Sequence, residues 1–311
     1  PSLLMLCLFF GPGIEGLPRL NTEAGRNILD MRIQRIMLAF FVGAALSCSG
    51  AIFQALLRNA LADPYILGVS SGAGLGAAIA IMTGVAAAGV YILPAIAFFS
   101  AVVTLAVVYT VAGGRGSTPS VYSLILSGVI VSAICSSILM FLVTIFPRDG
   151  LHSVIWWMLG NLQPASKGLI ITVSAVIAAG FLCAWLLSPE MDALSLGREA
   201  AHNVGVKTGF AVTAGLAVAS LLAASAVAGA GLIGFVGLVV PHVVRNICGP
   251  DHRRLIPLSF IWGGVFLALC DALARTVLKP VEIPVGVITA MCGGPFFLII
   301  LRQKKRKTWI E

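Results

Sequence analysis

Charge is what this chain has least of. Lys, Arg, Asp and Glu make up 10% of its 311 residues, where an ordinary soluble domain carries about 25%. With 59% hydrophobic residues and a mean hydropathy of +1.03, that scarcity excludes a soluble globular protein. No G-x-x-x-x-G-K-[ST] motif occurs, so the chain binds no nucleotide through a P-loop. ATP-driven work would need an ATPase on another polypeptide. The seven cysteines are scattered, odd in number and free of any C-x-x-C, and all but Cys248 fall within apolar runs. They read as small core residues rather than a disulfide or metal framework. His152, His202, His242 and His252 sit at span ends or in loops, and no His/Cys/carboxylate set has metal-ligand spacing. That argues against a bare metal ion as ligand or cargo. The basic residues have no interleaved aromatics, which excludes a nucleic-acid face, and the weak alternation of a membrane β-barrel is missing.

What the chain has instead is a series of apolar runs, enough for about ten membrane-spanning helices of roughly 20 residues each, with 34 glycines suited to close helix packing. The expected fold is all-α, one polytopic membrane domain over residues 1–311. The chain opens on Pro1, so part of a native N-terminus is expected to precede it. Residues 1–10 are too short to span and read as the tail of a first span rather than a signal-peptide remnant. A polar segment over 11–34 leads to a second span over 35–57. Pro64 forbids helix continuation there, so 59–64 reads as a tight reversal into a third span over 67–83. Further spans are expected over 91–112, 122–145, 169–187, 210–228, 231–242, 255–273 and 284–301. Between the fifth and sixth, 146–166 carries Trp156 and Trp157, as an interfacial helix does. The polar loop 188–209 spaces Leu194, Leu196, Ala200 and Val204 as a short helix would.

The basic tail Arg302–Lys307 sets the orientation, with the C-terminus cytoplasmic. An even number of spans puts the N-terminus there too. The inside-positive bias is weak because the outer loops are themselves basic. Arg32 and Arg35, three residues apart at the outer start of the second span, share one helix face, and Arg275 ends the ninth. Such arginines suit carboxylate recognition. The competing accounts are headgroup anchoring and an i, i+4 pair of Arg275 with Asp271.

Two other function classes stand beside transport of a large cargo. An ion- or proton-coupled secondary transporter buries ionisable groups within its spans, and this sequence shows almost none there. An intramembrane serine protease needs a serine in reach of a histidine. Ser70, Ser71 and Ser127 lie beside glycines and His242 ends a span, but close helix packing explains those serines more simply.

The wording of several stretches goes further. RNALADPYILGVSSGAGLG (58–76) resembles the signature of FecCD-type permeases, the membrane subunits of binding-protein-dependent ABC importers for iron–siderophore chelates, haem and cobalamin. WWMLGNL (156–162) resembles their outer interfacial helix. LSLGREAAHNVG (194–205) resembles their cytoplasmic coupling segment. GLIGFVGLVVPHVVRNICGPDHRR (231–254), DALAR (271–275) and VEIPVGVITAMCGGPFF (281–297) follow in the same order.

The resemblance implies a type II importer architecture in the cell membrane (the inner membrane of a Gram-negative cell). It implies a homodimer with the pathway on its axis, two cytoplasmic ATPase subunits and an external substrate-binding protein. The chain would bind no cofactor itself, with ATP and Mg on the partner ATPases. Leu194, Leu196, Gly197, Arg198, Ala201 and Gly205 would form the ATPase-coupling surface. Asn59, Ala60 and Leu61, with Ser120, Val121 and Tyr122, would form the cytoplasmic gate. Arg32, Arg35 and Arg275 would receive glutamates of the binding protein. The fifth and tenth spans would line the pathway. Three departures bear on this: Ala60 replaces a usual proline, Arg198 a usual acidic residue, and His202 a usual arginine.

Overall fold

The computed structural model describes residue 7 and residues 22–113, 119–145, 150–163, 166–278 and 280–308, without the side chains of 300, 301 and 303–308. Among these residues it is helical with no strand. Twelve helices run in chain order: α1 Glu23–Leu56, α2 Val69–Met82, α3 Ile92–Gly113, α4 Val121–Ile145, α5 Leu151–Met158, α6 Lys167–Leu186, α7 Ser188–Ser195, α8 Arg198–Asn203, α9 Thr208–Ala230, α10 Val236–Cys248, α11 His252–Thr276 and α12 Val285–Thr308. Six of them (α1, α3, α4, α6, α9 and α11) are long and apolar enough to cross a membrane. Shorter apolar helices are α2, α10 and the Val285–Ile299 part of α12. The proposed first span falls outside the described residues, except Cys7. That residue is buried, with its Sγ 3.7 Å from the carbonyl oxygen of Ala268 in α11.

The hub is α1. Its apolar window is 83% buried, against 11% for α4, and it packs on α11, α9, α10, α6 and α7. Small residues permit this: a Cβ on Gly43 would run into the carbonyl oxygen of Gly263 in α11, and one on Gly50 into that of Gly237 in α10. Backbones therefore touch where larger residues would hold the helices apart. The helix begins twelve residues earlier than the apolar run suggests, because Thr22 accepts a capping bond from the Gly25 amide at 3.1 Å and Glu23 sits in the first turn. Its 34 residues measure about 51 Å at 1.5 Å per residue, beyond the roughly 30 Å of hydrocarbon. The polar first turns thus extend past the apolar layer.

Two of the expected spans are broken helices. α2 has only 14 residues and α10 only 13. Before α2, Asp63 accepts from the Tyr65 amide at 2.8 Å and caps a short 3-10 turn, Pro64–Leu67. That turn lies level with the middle of the bundle: a Cβ on Gly237 would meet the Leu46 carbonyl oxygen at 2.7 Å and Pro64 Cδ at 2.8 Å. So the polar stretch 59–64 is not confined to the surface but climbs back between the helices. Before α10, residues 231–235 are irregular, and Phe235 takes the left-handed conformation at φ 69°. Non-helical backbone at this depth is tolerated where protein surrounds and satisfies it.

Of the cysteines, Cys7, Cys48, Cys135 and Cys270 are buried, and none of the seven is in a disulfide. Cys183 and Cys292 are exposed, on the outside of the bundle rather than in its core.

Candidate functional site

Near the C-terminal end of α11, Asp271 projects into the bundle, fully buried. Arg35 of α1 donates to it from Nε at 3.0 and 3.2 Å and meets it from Nη2 at 3.0 Å. From the other edge of its guanidinium, Arg35 donates through Nη1 to Glu282 Oε2 at 2.9 Å. Arg275, one turn on from Asp271, places Nε 3.0 Å from the second carboxylate oxygen. One carboxylate therefore serves two guanidiniums, the planar fork geometry that arginine favours. The i, i+4 pairing legible in sequence is present, and Arg35 joins it. The arginines are not an open rim in this chain: Arg275 is 2% exposed and Arg32 4%. The burial of Arg275 goes with Asp271, since a carboxylate at full burial needs its counter-charges beside it. Next to Arg35 and Glu282 lies a cavity of about 110 Å³, lined also by Trp156, Asn161 and Gln163.

At the opposite end of α1, Val121 of the expected gate lies beside residues of the expected coupling segment. The turn after α1 closes through Asn59, whose carbonyl accepts from the Ala62 amide at 3.0 Å and whose Oδ1 accepts from the Leu61 amide at 3.0 Å. Ala60 occupies the second position of that turn. Proline favours that position but is not required there, so the turn forms without it. Ser120 caps α4, its Oγ accepting from the Ser123 amide at 3.0 Å. Val121 lines a cavity of about 470 Å³ with Arg58, Leu194, Leu196, Gly197 and Arg198. Tyr122 is 77% exposed.

The segment expected to couple falls on two helices, the end of α7 and α8, joined at Gly197 with φ 119°. The single-helix spacing of Leu194, Leu196, Ala200 and Val204 therefore does not give one face. Leu194 and Ala201 are buried, while Leu196 and Val204 are 78% and 73% exposed. After α8, Gly205 takes φ 87°, and the Val206 amide closes back on the Ala201 carbonyl at 3.0 Å. His202 is exposed.

Three links tie this segment and the neighbouring helix ends together, and none was legible in the sequence. Arg198 donates from Nη2 to the carbonyl of Pro119, one residue before the gate stretch, at 2.7 Å. Asp192 of α7 accepts from the His252 amide at 2.9 Å and lies 2.6 Å from its Nδ1, capping α11. Arg245 of α10 donates to Gln54 Oε1 of α1 at 2.9 Å. Each joins residues far apart in the chain, so only a polar residue stranded beside an apolar run hinted at them.

No group of three or more His, Cys, Asp or Glu among the described residues could hold a metal ion. Ser71 donates to the Gly68 carbonyl at 3.0 Å, a local backbone bond of the kind helical serines make.

The family model for the FecCD transport family matches residues 4–303. A cobalamin import system permease protein of Halobacterium salinarum is 42% identical over 276 residues, covering 88% of this chain and 73% of that protein. A hemin transport system permease protein of Yersinia pestis is 36% identical over 290 residues, covering 90% and 84%. Among solved structures, an inward-facing metal-chelate type ABC transporter superposes with a TM-score of 0.86 at 28% identity, over 97% of each chain.

Proposed function

This chain belongs to the FecCD transport family, and from that membership we propose how it works as the permease subunit of an ABC importer for a metal chelate. The observation that carries the reading is the family match over residues 4–303 together with a fold shared along the whole chain with a metal-chelate transporter. The cargo is a chelate of the iron–siderophore, haem or cobalamin kind. The chain lies in the cell membrane as a single permease domain with both ends in the cytoplasm. Two copies pair about the pathway, lined by α4 and α12. α4 carries the apolar face for this: Leu126, Val129, Ile130 and Ile134 are all exposed in the single chain.

Of the outer arginines Arg32, Arg35 and Arg275, Arg35 makes the contact that docks the substrate-binding protein through its carboxylates, since its side chain is 13% exposed while Arg32 and Arg275 are buried. The inner segment, residues 194–206, docks an ATPase subunit that holds the ATP and Mg. Leu196 and Val204, large apolar side chains turned outward, are the residues that enter a groove on that subunit. The pull on α8 passes to the gate stretch Ser120–Tyr122 through Arg198 and Pro119, and to α11 through Asp192 and His252. The two states so linked must differ in their affinity for the docked partners. In proteoliposomes carrying this chain and its ATPase, one chelate of a panel, delivered by the binding protein encoded beside this gene, should stimulate ATP hydrolysis and accumulate inside. ATP-independent uptake that follows a proton gradient would overturn the reading in favour of a secondary transporter.

A further inference from the structure

The two edges of the Arg35 guanidinium face different surroundings. Nε and Nη2 hold Asp271, which is fully buried, while Nη1 holds Glu282, whose side chain is 26% exposed. Glu282 sits on the connection between α11 and α12, and the cavity of about 110 Å³ opens beside its contact with Arg35. Asn161 and Gln163 line that cavity with polar side chains. A space of this size, with a guanidinium on one wall and amides on another, takes a carboxylate side chain. Near-neutral polar walls alone would not select one. The connection is also pinned by backbone, the Ile283 amide donating to the Ala274 carbonyl at 3.0 Å. Directly after it comes α12, whose start is tied to the outer loop by the Gly286 amide donating to Leu159 at 3.1 Å.

We propose that Glu282 occupies the seat of an incoming carboxylate on Arg35, and that a carboxylate of the docking partner enters the cavity and displaces it, releasing the α11–α12 connection. Asp271 is the permanent partner that fixes the guanidinium, and Glu282 is the exchangeable one. Exchange of one partly exposed carboxylate for another leaves the charge of the cluster satisfied throughout, so no buried guanidinium is stranded on the way. Docking outside is thereby coupled to the first turn of a pathway helix. This rests on the reading of Arg35 as a docking residue, which it deepens.

The test uses the complete permease–ATPase complex in lipid nanodiscs, with the binding protein encoded beside this gene as the probe. Glu282→Gln keeps the shape and removes the competing charge, so docking should tighten by up to about fivefold, the range of one partly exposed ion pair. Glu282→Asp, which shortens the reach to Arg35, should fall between it and wild type. A nitroxide on Val281, exposed in the chain, reports the backbone mobility of the connection. Its mobility should rise on docking, and already be raised in undocked Glu282→Gln relative to undocked wild type. Arg35→Ala is the separating control. If it weakens docking while both Glu282 variants dock as wild type, the exchange is wrong and the docking reading survives. If Arg35→Ala docks unchanged, the docking reading fails and the exchange with it. A Val281 label whose mobility does not change on docking would also overturn the exchange.

Discussion

The hydroxyl of Tyr65 donates to the carbonyl of Ile233 at 3.0 Å and accepts from the amide of the same residue at 3.2 Å. Tyr65 lies in the break before α2 and Ile233 in the break before α10. Each break leaves backbone groups that no helix satisfies, and one phenol closes both valences of one residue. Two interruptions that would be costly apart in a membrane interior are thus made mutually dependent.

Tyr65→Phe keeps the ring and removes only this link. The Ile233 amide and carbonyl are then both short of a partner, at about 1–3 kcal/mol for each buried group. A loss of about 2 kcal/mol or more is expected, read as a lower thermal midpoint of the purified protein in detergent. An unchanged midpoint would mean that the break before α10 is held by its flanking packing alone.

Gly43→Ala tests the contact of α1 with α11. The added methyl has no room against the Gly263 carbonyl, and overpacking of this kind costs typically 1–3 kcal/mol. Gly294→Ala in α12 is the matched control, because a Cβ there meets nothing within 4 Å. That change should be neutral or stabilising by up to about 1 kcal/mol, from helix propensity. Equal effects on thermal stability at the two sites would refute close backbone approach as the organising contact of the hub.

Leu196 and Arg198 separate attachment of the ATPase from coupling. Leu196→Glu places a charge on the exposed apolar tip of the segment and should abolish co-purification of the ATPase subunits. Arg198→Ala should leave co-purification intact but raise the ATP hydrolysed per chelate moved, since the bond to the Pro119 carbonyl is lost. Arg198→Lys, which retains a cation but not the fork, should recover part of the ratio. An unaltered ratio in Arg198→Ala would remove this residue from the coupling route.

Orientation is checked with single cysteines in a cysteine-free background. A cysteine at Arg26, exposed beyond the apolar part of α1, should react with an impermeant maleimide added outside intact cells. One at Glu199, exposed on α8, should react only after the membrane is opened. The reverse pattern would invert the assignment of docking and coupling ends.

The sequence by itself determined that this is a helical membrane protein, where its long apolar helices lie, and, through the order of its motifs, the family. The reason is that a long helix satisfies its own backbone bonds, so hydropathy over some 20 residues suffices to find it. The α4 and α6 boundaries were legible within about three residues on that ground, as was the i, i+4 pair of Asp271 and Arg275. The half-helices α2 and α10 were not, because an apolar run reads the same whether its backbone bonds lie within one helix or are supplied from elsewhere. In this chain the supplier of Ile233 is 168 residues away. Nor could the sequence tell that Leu194 turns inward and Leu196 outward, which the hinge at Gly197 decides. The burial of Arg275, and the hold of Glu282 on Arg35 across 247 residues, follow from where α1, α11 and the α11–α12 connection come together. Ion pairs leave no periodic trace along the chain, so only the tertiary structure could pair them.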